Sequence, residues 1–187
     1  MLDSEFNPKL GDFGLARTIK LSDQTHHSTK DVAGTTGYVA PESILTSRFT
    51  VETDAYAFGV VILEVACGRK PGSPNHQDDY SGHIVNWVWD LHREGRIIDA
   101  ADKRLHGDFG EEEMVQMECL LILGLACCHP NPKKRPNMKT VLQVLKGEAT
   151  PPSVPNERPV FMWPPLPPPK ELGISLSELS FSDLSGR

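Results

Sequence analysis

The chain has 187 residues, 39% hydrophobic and 24% charged, the balance of an ordinary soluble globular protein with room for one domain and a tail. Its formal net charge of -6 argues against a general nucleic-acid or anionic-membrane binder, since both need a basic surface. No apolar leader follows Met1-Leu2-Asp3, and the longest apolar run, residues 119–128, is about half of the roughly 20 residues that span a bilayer, so no membrane insertion by this chain is expected.

In chain order, residues 1–11 read as a short β-hairpin. Leu2 and Leu10 are the apolar strand ends, and Asp3-Ser4-Glu5-Phe6-Asn7-Pro8 supplies the turn. Residues 15–39 are polar and without period, a long loop of the kind that tends to be functional. Residues 51–67 predict a helix whose second half is apolar on nearly every side, hence buried, with Gly68 and Pro71 stopping it. Residues 83–94 predict a second helix, with Ile84, Val88 and Leu91 on one face and Gly95 as its C-cap. A third spans 111–128, opened by three glutamates that suit the positive helix end and striped by Val115, Cys119, Ile122 and Ala126. A fourth spans 136–146, with Pro136 in the first turn and Met138, Val141, Leu142 and Leu145 as its apolar face. Beyond Gly147 the chain is first proline-rich, then serine-rich, and residues 148–187 read as a disordered tail.

Cys67, Cys119, Cys127 and Cys128 include no C-x-x-C pair and read as reduced, mostly buried thiols. His26-His27 reads as a solvated loop pair rather than a metal site. Trp87 and Trp89, two apart on a helix, read as packing residues on different faces.

The motifs that carry chemistry are weak singly and specific together. Asp12-Phe13-Gly14 follows a predicted strand and opens the polar loop; a strand-end carboxylate can present oxygen to magnesium, a hard ion. Gly34-Thr35-Thr36-Gly37-Tyr38-Val39 leads into Ala40-Pro41-Glu42. Asp54 then lies in the apolar helix, and Arg135 precedes the last one. This order resembles the large, carboxy-terminal lobe of a eukaryotic protein kinase over residues 1–147. The runs Gly11-Asp12-Phe13-Gly14-Leu15-Ala16-Arg17 and Ala57-Phe58-Gly59-Val60-Val61-Ile62-Leu63-Glu64 are similar to plant receptor-like kinases. Residues 1–10 and 63–71 look like the L-type lectin-domain members among them.

The resemblance implies a mainly α fold: a kinase large lobe with a short hairpin, without the small lobe and the catalytic loop. It implies that Asp12 chelates magnesium on ATP, that Phe13 packs into the regulatory apolar column and that Gly14 lets the backbone swing. Thr35 and Thr36 shape the loop beside the substrate hydroxyl. Ser28, Thr29, Thr35, Thr36 and Tyr38 lie in the activation segment, where the family is commonly phosphorylated. Glu42 pairs with Arg135, and Asp54 accepts hydrogen bonds from the catalytic-loop backbone. The parent function implied is transfer of the ATP γ-phosphoryl group to Ser or Thr of protein substrates, on the cytosolic side of the plasma membrane.

No Gly-rich loop, strand Lys, catalytic Asp or catalytic-loop Asn is present in these residues, and phosphoryl transfer rests on all of them. On the resemblance, the chain starts just past the catalytic loop, and by itself it is expected to be inactive and to bind neither ATP nor magnesium well. The competing expectation is a non-catalytic interaction fragment or a pseudokinase-type scaffold. Pro164-Pro165-Leu166-Pro167-Pro168-Pro169 reads first as part of the disordered tail, with capture by a polyproline-binding module as an added role.

Overall fold

The computed structural model describes residues 3–7, 9, 27–28, 34–35, 37–72, 83–105 and 110–162, with the side chains of 27–28 excepted. The described elements are mostly helical. A two-residue strand, β1 (His27–Ser28), pairs antiparallel with β2 (Arg48–Phe49). The helices are α1 (Pro41–Thr46), α2 (Val51–Cys67), α3 (Ile84–Arg93), α4 (Glu111–Cys127) and α5 (Met138–Leu145). Two 3-10 turns, Ile97–Ala100 and Pro132–Lys134, link them.

α2 is the central post. Reciprocal bonds set its start: the Thr50 N–H donates to Thr53 Oγ1 at 2.9 Å, and that hydroxyl donates to the Thr50 carbonyl at 2.7 Å. It ends at Gly68, left-handed at φ 61. A Cβ there would meet Asp102 Oδ2 at 2.0 Å, so glycine is required both by conformation and by space.

α2 and α4 approach through two more glycines. A Cβ on Gly59 would lie 2.5 Å from Cys127 Cβ, and one on Gly124 would lie 2.6 Å from Leu63 Cδ2. The main core gathers on this seam: Tyr56, Val60 and Leu63 of α2 with Val85, Val88 and Trp89 of α3 and Leu121 and Leu125 of α4. A smaller cluster joins Ile62, Leu123 and Cys127 to Val141 and Val144 of α5. Burial of such side chains is worth about 1.5–3 kcal/mol each.

The structure departs from the sequence expectations in several places. The turn at residues 3–7 forms, with the Phe6 N–H donating to the Asp3 carbonyl at 3.0 Å and the Asp3 carboxylate accepting from the Glu5 and Asn7 N–H groups. No strand is assigned among the described residues there, and Leu2 and Leu10 lie outside them. The strand pair falls at β1 and β2 instead, which no alternation announces. α2 is not buried on every side, for Val61 and Val65 are 37% and 65% exposed. α4 buries its last two turns almost all round, while Val115 of the expected stripe is exposed.

α5 starts later than expected. Asn137, not Pro136, opens it, with its side chain accepting from the Thr140 N–H at 2.9 Å. Its buried residues are Val141 and Val144, while Met138, Leu142 and Leu145 stay exposed. Part of the expected tail also lies on the helical core. Val154 packs against the main core, and Arg158 hydrogen-bonds to Asn86. Residues 163–187 are outside the described set.

Candidate functional site

The site builds around the corner Ala40-Pro41-Glu42. Pro41 opens α1, where its missing N–H costs nothing and its fixed φ suits the helix. Ala40 is buried, and Ser43 Oγ donates to the Arg48 carbonyl at 2.8 Å, tying the helix to β2.

Glu42 and Arg135, far apart in sequence, are brought together inside the protein. The Arg135 guanidinium donates to Glu42 Oε1 at 2.6 Å and to Oε2 at 2.9 Å, a two-pronged pair with side chains 0% and 5% exposed. The remaining donors are also used: Nε reaches the His129 carbonyl at 2.9 Å, and one terminal nitrogen reaches the Glu52 carbonyl at 2.9 Å. The guanidinium also lies 5.0 Å from the Tyr56 ring centre. One buried cation thus joins α1, the start of α2, the end of α4 and the turn before α5. The 3-10 turn Pro132–Lys134 sets its approach, with Asn131 capping it by accepting from the Lys133 N–H.

Just ahead of the corner lies a tight turn. The Tyr38 N–H donates to the Thr35 carbonyl at 3.1 Å, and Gly37 sits at φ 97, a conformation that favours glycine. The Tyr38 hydroxyl donates to the Glu64 carboxylate on α2. Burial, then that carboxylate, push the phenol up to about 12, so it stays protonated and a donor.

From the other side His83 grips the same turn. Its Nδ1 accepts from the Val85 N–H at 3.3 Å, capping α3, which leaves the proton on Nε2 to donate to the Gly37 carbonyl at 3.0 Å. Burial holds this imidazole below the ordinary value of 6.5, consistent with the neutral form the geometry needs.

The other expected site residues are not gathered here. Thr35 is exposed. Asp54 lies on the exposed side of α2, and no described residue hydrogen-bonds to its carboxylate; partial shielding by its surroundings raises it above the usual 3.8. Ser28 contributes its backbone to β1. Asp12, Phe13, Gly14, Thr29 and Thr36 lie outside the described residues, as do Pro164 to Pro169. Among the described residues no group of three His, Cys, Asp or Glu could hold a metal ion. Nothing among the described residues supports a polyproline-binding partner. No helix among them is long and apolar enough to cross a membrane. Three of the four cysteines are buried thiols, with burial pushing Cys67 and Cys127 up to about 12.

Sequence reasoning missed Glu64, His83, Asn86 and Arg158. Each acts on a partner distant in the chain, and no local pattern marks such a pairing.

Comparison with known proteins supplies the frame. The family model for the protein kinase domain matches residues 1–145. A probable L-type lectin-domain containing receptor kinase, S.5, of Arabidopsis thaliana is 57% identical over 185 residues, covering 97% of this chain and 27% of the relative. Its S.7 counterpart in the same plant is 44% identical over 186 residues, covering 100% of this chain and 26% of the relative. The S.7 receptor kinase of Oryza sativa subsp. japonica is 45% identical over 167 residues, covering 89% of this chain and 22% of the relative. The chain therefore spans about a quarter of the length of these relatives. With its match running over most of its residues, the chain belongs to the protein kinase family, among the plant receptor kinases of the L-type lectin-domain kind.

Proposed function

We propose that these residues are the large-lobe portion of a receptor-like Ser/Thr protein kinase. The complete kinase transfers the γ-phosphoryl group of ATP to protein hydroxyls, and these 187 residues alone do not. The observation that carries the reading is the buried Glu42–Arg135 pair, which fastens the Ala40-Pro41-Glu42 corner to the helical core. A rigid corner of this kind suits a loop that must present a protein hydroxyl in fixed geometry, because phosphoryl transfer is governed by positioning.

In this reading Asp12 would hold magnesium against the nucleotide phosphates, and the metal would neutralise charge on the transferring group. Phe13 and Gly14 would let that carboxylate swing in and out of place. Thr35 and Thr36 would line the acceptor side. Ser28, Thr29, Thr35, Thr36 and Tyr38 are the candidate phosphorylation positions, with Tyr38 the least available, since its hydroxyl is engaged by Glu64. Asp54, exposed on α2, would accept hydrogen bonds from the catalytic-loop backbone of the complete kinase. The receptor would lie at the plasma membrane with this part on its cytosolic side.

A second reading, a non-catalytic interaction fragment, is favoured by apolar side chains left in solvent: Val61 and Val65 on α2, and Met138, Leu142 and Leu145 on α5. One assay separates the two. The purified chain is incubated with magnesium, labelled ATP and a generic protein substrate, beside a chimera carrying the upstream kinase segment of the S.5 relative. Transfer by the chimera and none by the chain supports the kinase reading; silence from both supports the fragment reading.

A further inference from the structure

The chain after Gly147 has no regular structure up to Met162, yet it does not leave the lobe. Val154 packs against the main core cluster. Arg158 donates from its guanidinium to Asn86 Oδ1, in the first turn of α3. Burial alternates along the segment. Pro151, Pro152, Val154, Pro159 and Phe161 are half-buried, while Ser153 and residues 155–158 face solvent. Proline lowers the entropy lost on docking, because its φ is fixed before the segment binds.

The seat matters because of what stands beside it. Asn86 and His83 share the first turn of α3, and His83 both caps that helix and donates to the Gly37 carbonyl. The line of contact runs from Arg158 to Asn86, to His83, to Gly37.

We propose that residues 151–162 are a strap docked on the start of α3, and that through Asn86 and His83 this strap holds the Gly37–Tyr38 turn ahead of the Ala40-Pro41-Glu42 corner. Val154 and Arg158 are then positioning residues. This hold on the turn is independent of whether the chain or its longer form transfers phosphate.

Amide hydrogen exchange read residue by residue tests it. The full chain is compared with one ended after Met162, one ended after Gly147, and the full-length variants Val154→Asp and Arg158→Ala. Ending after Met162 leaves exchange unchanged. Ending after Gly147, and each variant, speeds exchange at residues 84–89 and at Tyr38 while residues 123–127 of α4 keep their protection. The melting midpoint falls by about 2–4 °C, the shift that a modest loss of packing gives in a domain of this size. Arg158→Ala leaves the backbone intact and decides the matter where the shorter chain does not fold. Equal exchange at residues 84–89 and Tyr38 in all forms overturns the proposal. So does faster exchange spread evenly over α4 and α5, or a full chain already unprotected at residues 84–89.

Discussion

Arg135 holds more of this structure than any other single side chain described. Its guanidinium is buried, so its energetics depend on every donor being matched. Arg135→Ala leaves the Glu42 carboxylate buried without a partner, and chemical denaturation should show a loss of about 3–5 kcal/mol. Glu42→Ala should cost a similar amount, and the double variant should cost less than the two summed, since each single change strands the other charge. Two histidines add a pH dependence. Burial holds His83 and His129 below the ordinary 6.5, with Arg158 acting against protonation of His83, and Arg135 and Lys134 against that of His129. The unfolded chain therefore binds protons more readily. The stability these groups contribute is fully present above pH 6.5 and is lost as pH falls through their lowered folded values. Thermal melts from about pH 7.5 down to about 5.5 should show a falling midpoint, less steeply in His83→Gln; a flat wild-type profile would contradict this.

At the scale of elements, the α2–α4 seam is set by volume. Gly59 and Gly124 each leave no room for a Cβ, with obstacles at 2.5 and 2.6 Å. Gly124→Ala should lower stability by about 1–3 kcal/mol, the usual cost of overpacking, as measured by urea unfolding; a neutral result would show that the helices part easily. The seam also shows what the sequence made legible. Residues 51–67 form the helix that their apolar run and Gly68 announce, since a long run with a glycine stop has few other outcomes. The face of α5 was not legible. Met138, Val141, Leu142 and Leu145 fit a helical stripe, but the nearest partner, α4, takes Val141 and Val144 and leaves the rest exposed. Periodicity says that a helix has an apolar side and not what lies against it. The short α1, β1 and β2 carry too few residues for any period to register.

At the scale of the whole molecule, the candidate site was readable in part because its residues stand in a fixed order along the chain. Glu42 and Arg135 were expected as partners and meet in a buried two-pronged pair. His83, Glu64 and Arg158 carried no signal, because each meets its partner only after the chain has folded back on itself. The proline-rich composition past Gly147 pointed to disorder, yet composition does not see that Val154 finds an apolar seat. Val61, Val65, Met138, Leu142 and Leu145 leave apolar surface exposed on the helices. The most direct measurement is labelled phosphate transfer to a protein substrate in the presence of magnesium and ATP. These 187 residues should give none, the chimera with the relative's upstream kinase segment should give transfer, and Asp12→Asn in that chimera should abolish it. Magnesium-dependent transfer by the 187 residues alone, or undiminished transfer by the Asp12→Asn chimera, would contradict the account.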